Sequence, residues 1–260
     1  MKLSAIDLGD GRPAVLLHGQ PGSAADWCPV IGRLRDRMRV VAPDRPGYGR
    51  TGGRAAGFGD NADAVIGLLD SLGIASAVVV GHSWATGVAL AMAIKAPQRV
   101  RALVLAAPVT PDLPPGAVDR LLAHPLIGAS AARLGFLLAG TGLAFPPVRG
   151  LARTTVPALS ASQVAATAAQ WRGDSVWRSF HAEQRALVTE LPSLAPRLGS
   201  VDRPTTILYG TRDRISPPAH ALNLARALPH AQLMPAGRVG HMLPQQRPEL
   251  LAEAIALAAA

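Results

Sequence analysis

The sequence predicts an α/β fold in which a mostly parallel central sheet is flanked by helices, and three observations lead to it. Short apolar runs alternate with helical stretches along the chain, the pattern of strands joined by helical crossovers. Those runs are apolar at nearly every position rather than every second one, as strands covered on both faces are. Finally, 260 residues with 49% hydrophobic and 17% charged content suit one large domain with a substantial core. Aromatics make up only 4% of the chain, so that core is expected to be aliphatic.

The strand candidates are Ala14–Leu17, Val40–Ala42, Ala77–Val80, Ala102–Ala106, Thr205–Tyr209 and Gln232–Met234, each bounded by Gly, Pro or Asp. Leu3–Leu8 adds a candidate edge strand before the turn Asp10-Gly11. Between them, Ser23 can cap a helix reaching about Arg37, and Asp60 one ending near Gly73. Trp84–Lys95, Pro217–Leu228 and Arg247–Ala259 supply three more helices. One region breaks the alternation: residues 111–198 carry helical signals and repeated prolines but no convincing strand. This predicts a core domain from 1–110 and 199–260 with 111–198 inserted as a helical cap.

Composition narrows the function classes. The net charge of +9 invites a nucleic-acid partner, yet the arginines are scattered and no zinc-finger or RNA-recognition signature accompanies them. No nucleic-acid partner is expected. Cys28 is the lone cysteine, which excludes an internal disulfide and a thiolate metal cluster. No metal-ligand pattern, phosphate loop or dinucleotide fingerprint occurs, so no metal and no cofactor is expected. The N-terminal residues lack the apolar core of a secretory signal, and Gly128–Phe145 is a poor membrane span, being short and interrupted by Arg133. A cytoplasmic protein acting on a small-molecule substrate is the resulting expectation. The sequence gives no oligomeric state.

The chemistry-bearing segment is Val78-Val79-Val80-Gly81-His82-Ser83-Trp84-Ala85, where an apolar strand runs directly into a helix. A serine on such a turn projects its hydroxyl clear of the sheet, while the next backbone N–H sits at a helix N-terminus and can stabilise an oxyanion. Taken alone, Ser83 could equally be a helix N-cap. The segment resembles the nucleophile elbow of α/β-hydrolases, Gly-x-Ser-x-Gly, with Ala85 in the place of the last glycine. That resemblance extends over nearly the whole chain outside the insertion, and implies an α/β-hydrolase fold with Ser83 as nucleophile.

A serine hydroxyl needs a base to take its proton and a carboxylate to orient that base. In this family the chain order is serine, acid, histidine. Asp213 follows Ile207-Leu208-Tyr209-Gly210, and His241 lies in Gly240-His241-Met242 after the last strand; both stretches resemble the family's acid and histidine loops. Singly, Asp213 could be a loop carboxylate paired with a neighbouring arginine and His241 an exposed histidine, but together they supply the missing members in order. Leu17-His18-Gly19-Gln20 resembles the family's His-Gly-x segment, which implies that Gln20 and Trp84 give the backbone N–H groups of an oxyanion hole. His18 is expected to buttress that loop. Asp44-Arg45-Pro46-Gly47-Tyr48-Gly49 resembles an architectural loop, and Asp44 precedes the nucleophile, the wrong order for a triad acid.

The implied activity is hydrolysis of a carboxylic ester of a small hydrophobic substrate through an acyl-enzyme. Cofactor-free carbon–carbon bond hydrolases and haloperoxidases share the same triad and form the enzymatic alternative. A non-hydrolytic receptor or biosynthetic protein is the alternative of another class. Relatives with an aspartate nucleophile, the epoxide hydrolases and haloalkane dehalogenases, differ at the position of Ser83. Trp27, Phe145, Trp171, Trp177 and Phe180 are the candidate substrate-pocket residues, with the side chain of Trp84 beside them.

Overall fold

The computed structural model describes residues 2–148 and 161–260. Seven strands form one sheet: β1 (Ala5–Leu8), β2 (Pro13–Leu17), β3 (Arg39–Pro43), β4 (Ala77–His82), β5 (Val100–Ala106), β6 (Thr205–Tyr209) and β7 (Ala231–Pro235). Their spatial order is β1-β3-β2-β4-β5-β6-β7. β1 runs antiparallel to β3, and every other neighbouring pair is parallel. All six strand candidates lie in this sheet, and the edge strand is confined to Ala5–Leu8.

Alternation along the central strands divides the core in two. Val79 of β4 and Leu103 and Leu105 of β5 pack with α2 (Phe58–Ser71), α3 (Ala85–Lys95) and α8 (Pro218–Ala227). Val78 and Val80 point the other way, with Leu16 and Val104, onto α1 (Cys28–Leu34) and α10 (Pro248–Ala259). A short helix α9 (Leu243–Gln246) precedes α10.

Two helix starts differ from expectation. The chain after Ser23 first forms a 3₁₀ turn, Ala24–Trp27, and α1 ends at Leu34, short of Arg37. α2 begins at Phe58, with Gly57 rather than Asp60 at its N-cap. The orphan N–H of Phe58 donates to the carboxylate of Glu190, 3.0 Å away. A cap borrowed from 132 residues along the chain leaves no local sequence signal.

Between β5 and β6 the described chain forms α4 (Ala117–Ala123), α5 (Ile127–Ala144), α6 (Ala161–Trp171) and α7 (Asp174–Thr189), followed by a 3₁₀ run over Leu191–Ser200. α5 packs against α6 and α7, and α4 packs against α5 and α7. Phe136 of α5 sits edge-on to Trp171 at 5.6 Å and to Phe180 at 5.1 Å, forming an aromatic cluster inside this helical layer. Gly128–Phe145, read as a poor span, lies almost entirely in α5, the one described helix long and apolar enough to cross a membrane.

Candidate active site

β4 and α3 meet at Ser83, whose φ of 55° puts it in the left-handed region that non-glycine residues seldom occupy. Its N–H donates to the Ala106 carbonyl at 2.9 Å, which fastens the strained turn to β5. The strand passes very close to the helix here. A Cβ on Gly81 would lie 2.7 Å from the Ala85 carbonyl oxygen, so glycine is required at 81. Ala85, by contrast, fits fully buried where the motif usually has its second glycine.

Asp213 stands just beyond β6 and His241 beyond β7, at the same end of the sheet. His241 Nδ1–H donates to Asp213 Oδ2 at 2.8 Å, which leaves Nε2 as acceptor for the Ser83 hydroxyl, also at 2.8 Å. The second oxygen of Asp213 accepts from the backbone N–H groups of Ile215 and Ser216 at 2.9 and 2.8 Å. Burial pushes the Asp213 carboxyl up, but the hydrogen bond and charge of His241, with those two N–H groups, outweigh it and hold the pKa below its ordinary value. Asp213 therefore stays ionised beside the imidazole. Ser83 is only 8% exposed, so the hydroxyl is nearly shielded from solvent.

The loop after β2 lies against this serine. A Cβ on Gly19 would meet Ser83 Cβ at 3.1 Å, so the next peptide is brought beside the nucleophile. Neither the Gln20 nor the Trp84 backbone N–H has a hydrogen-bond partner among the described residues. Two free donors flanking a shielded hydroxyl form the arrangement an oxyanion needs. His18 supports the loop from beneath: Nδ1 donates to the Gly19 carbonyl at 2.9 Å and Nε2 accepts from the Arg45 N–H at 3.0 Å. Burial, then the Arg45 charge, hold the His18 pKa well below its usual value, as a neutral buttress requires.

A match to the alpha/beta hydrolase family model spans residues 14–254. The chain belongs to the alpha/beta hydrolase family. Similar proteins include 2-hydroxymuconate semialdehyde hydrolase from Pseudomonas putida, 32% identical over 242 residues covering 90% of this chain and 82% of the relative. A 2-hydroxy-6-oxo-2,4-heptadienoate hydrolase from the same species is 30% identical over 246 residues, with 90% and 84% covered. Among solved structures, a thermophilic esterase from Thermogutta terrifontis superposes with a TM-score of 0.71 at 25% identity, covering 98% of this chain and 92% of that one.

The candidate pocket aromatics of this alpha/beta hydrolase separate into different places. Trp171 and Phe180 meet around Phe136, and the Phe180 carbonyl accepts from the Gln20 side chain at 2.8 Å. Trp177 is half-buried on α7, with the Arg178 guanidinium 5.2 Å from its ring centroid. Two expectations are corrected. Trp27 is wholly buried in the core, edge-on to His82 at 6.4 Å, because the 3₁₀ turn drives it beneath the sheet. Phe145 is 63% exposed at the end of α5: nine residues beyond Phe136 is about half a revolution of a helix, which carries it to the solvent side. The Trp84 ring is also core, stacked on Phe58 at 4.1 Å.

Two supports of this alpha/beta hydrolase site escaped the sequence reading. His82 Nε2 donates to the His241 carbonyl at 2.9 Å, and burial, then the neighbouring His241 charge, lower its pKa to about 3. A neutral His82 thus pins the histidine loop to the elbow. The second support is the buried Arg45–Glu183 ion pair. Arg45 donates to the His18 and Gly19 carbonyls at 2.8 and 2.9 Å and, through Nη1, to Glu183. Tyr48 donates to the same carboxylate at 2.8 Å, while Trp84 Nε1 donates to the Glu183 carbonyl at 3.0 Å. Gly-His-Ser was in view within the motif, whereas Glu183 offered no signal at 138 residues from its partner.

Proposed function

We propose that this chain is a serine hydrolase in which Ser83 attacks an acyl carbonyl, His241 accepts its proton and Asp213 orients His241. The observation that carries this is the continuous pair of 2.8 Å contacts from Asp213 through His241 to the Ser83 hydroxyl. In the first step the Ser83 Oγ–carbon bond forms, the proton passes to His241 Nε2, and the Gln20 and Trp84 N–H groups receive the negative oxygen. Collapse expels the alcohol, which takes the proton from His241; water then attacks the acyl-enzyme with His241 again as base. Residues 111–198 act as the cap over this site.

A carboxylic ester of a small hydrophobic substrate is the reading that asks least of these groups. Arg45, buried beside the oxyanion loop, is already matched by Glu183. Gln184 at the cap edge is bonded to Asp119 at 2.9 Å. These surroundings favour an uncharged acyl group over a carboxylate. The relatives named as dienoate and semialdehyde hydrolases support a second reading, in which the same acyl-enzyme is reached by breaking a carbon–carbon bond and the proton goes to carbon.

A fluorophosphonate probe should label Ser83, located by peptide mass spectrometry, and labelling should disappear in His241→Ala. Nitrophenyl esters of rising acyl length should be hydrolysed, and Ser83→Ala should lower kcat by at least about three powers of ten. Unlabelled Ser83 sinks the activated-serine reading. Faster turnover of 2-hydroxy-6-oxo-2,4-heptadienoate than of any ester replaces ester hydrolysis with the carbon–carbon reaction.

A further inference from the structure

α5 is apolar on both sides. Its inner face, with Gly128, Ala132 and Gly140, is buried, and Phe136 packs on Trp171 and Phe180. Its outer face carries Ile127, Leu134 and Leu138 at helical spacing, and these are 54%, 57% and 61% exposed. Ile127, Leu134, Leu126, Ser130 and Ala131 line a shallow apolar depression on that face. Nine of the fourteen large hydrophobic residues exposed among the described residues fall between Val118 and Val148. Folded domains bury such a stripe, and a contiguous exposed one marks a surface that meets something apolar.

Charge identifies the occupant. Between Asp119 and Asp174 the sequence contains Arg120, Arg133, Arg149, Arg153 and Arg172 and no Asp or Glu, while Asp119 of α4 is engaged by the Gln184 amide at 2.9 Å. Arg120 and Arg133 are exposed on α4 and α5, among the exposed apolar residues. A second copy of a chain with net charge +9 would bring like charge against like charge across this face. An anionic lipid surface satisfies both features: acyl chains take the leucines, and phosphate headgroups take Arg120 and Arg133. We propose that the outer face of α5, with the adjoining α4, docks this hydrolase on anionic membranes. Such docking would bring the cap to the interface where apolar acyl substrates collect, whichever bond the triad cleaves.

The test is co-sedimentation of the full chain with mixed phosphatidylcholine–phosphatidylglycerol vesicles, against phosphatidylcholine alone. Binding is expected to the mixed vesicles, to fall in high salt, and to drop at least roughly tenfold in Leu134→Glu/Leu138→Glu. That double variant should keep its melting temperature and its hydrolysis of a soluble short-chain ester, since both positions lie on the solvent side. Ser83→Ala should bind vesicles like the parent; loss of binding in Ser83→Ala would assign retention to the active site and overturn the proposal. Absence of binding to the mixed vesicles, or equal binding by the double variant, also overturns it. A dimer of the parent that the double variant splits gives this face to a second copy instead.

Discussion

The sheet end of the site and the helical layer above it are held together by different physics. Around Ser83 the buried charges are matched and the loops are tied by hydrogen bonds: Arg45 with Glu183, Asp213 with His241, and His18 between Gly19 and Arg45. Above it, α5 and α6 meet through small and aromatic residues, and the outer face of α4 and α5 is exposed and largely apolar. Hydrogen bonds have strict geometry and buried ions tolerate no missing partner. Dispersion contacts are individually weak and tolerate rearrangement. The end that holds the Asp213–His241–Ser83 contacts is therefore the geometrically fixed one, and the layer above it is freer to rearrange.

Removing one half of a matched pair tests that contrast most severely. Glu183→Ala leaves Arg45 buried without its partner and should lower stability by about 3–5 kcal/mol, read from urea unfolding. A loss below about 1 kcal/mol would mean that water or another group compensates Arg45, and that the lower end is less tightly specified than its bonds suggest.

Asp26 sharpens the comparison, because it is a charge the lower end does not fully match. Burial, opposed by the Ser23 N–H and reinforced by Asp44, raises its pKa from 3.8 to about 6. Between those values the folded chain holds a proton that the unfolded chain has released, so stability falls as pH rises through that window. Asp26→Asn can still accept the hydrogen bond from the Ser23 N–H, and removes that fall. It should stabilise by about 2 kcal/mol at pH 8, allowing for partial screening, and by almost nothing at pH 3.5. Paired melts at the two pH values measure this; equal shifts would show that ionisation is not the cause.

The smallest effect belongs to the upper end. Phe145→Ser removes a ring that is 63% exposed and should change stability by less than about 0.5 kcal/mol. A loss of 2 kcal/mol in thermal unfolding would show that Phe145 is packed in solution and that the outer side of the upper layer is not free surface.

Much of the lower end was legible because its signals are local. Every strand candidate was a short apolar run, and Ser83, Asp213 and His241 each sit in a loop whose neighbours announce it. What escaped depends on distance along the chain. Nothing around Phe58 points to Glu190 as the cap of α2, and nothing around Arg45 points to Glu183. Aromatic residues in the helical segment were visible as types but not as faces: Phe136, Trp171 and Phe180 converge, while Phe145 turns away. Their sorting depends on how α5 is rotated against α6 and α7, which helical periodicity cannot give when apolar residues occupy both sides.

The ties along α7 have a mechanical consequence. Ser179 donates to the Gly47 carbonyl at 2.7 Å, Phe180 accepts from Gln20, Glu183 holds Arg45, and Glu190 caps α2. Although it lies within the stretch of sequence that interrupts the sheet, α7 from Ser179 onward, with Glu190 just past its end, is bolted to the loops and helix around Ser83. α4 is tied to α7 in turn, by Gln184 to Asp119 at 2.9 Å and His181 to the Leu122 carbonyl at 3.0 Å. Any opening that admits substrate would then swing α5 and α6 about a stationary α4 and α7, like a cover on its spine. The hinge would lie inside the helical layer, and the loop carrying Gln20 could keep its shape while the outer helices move.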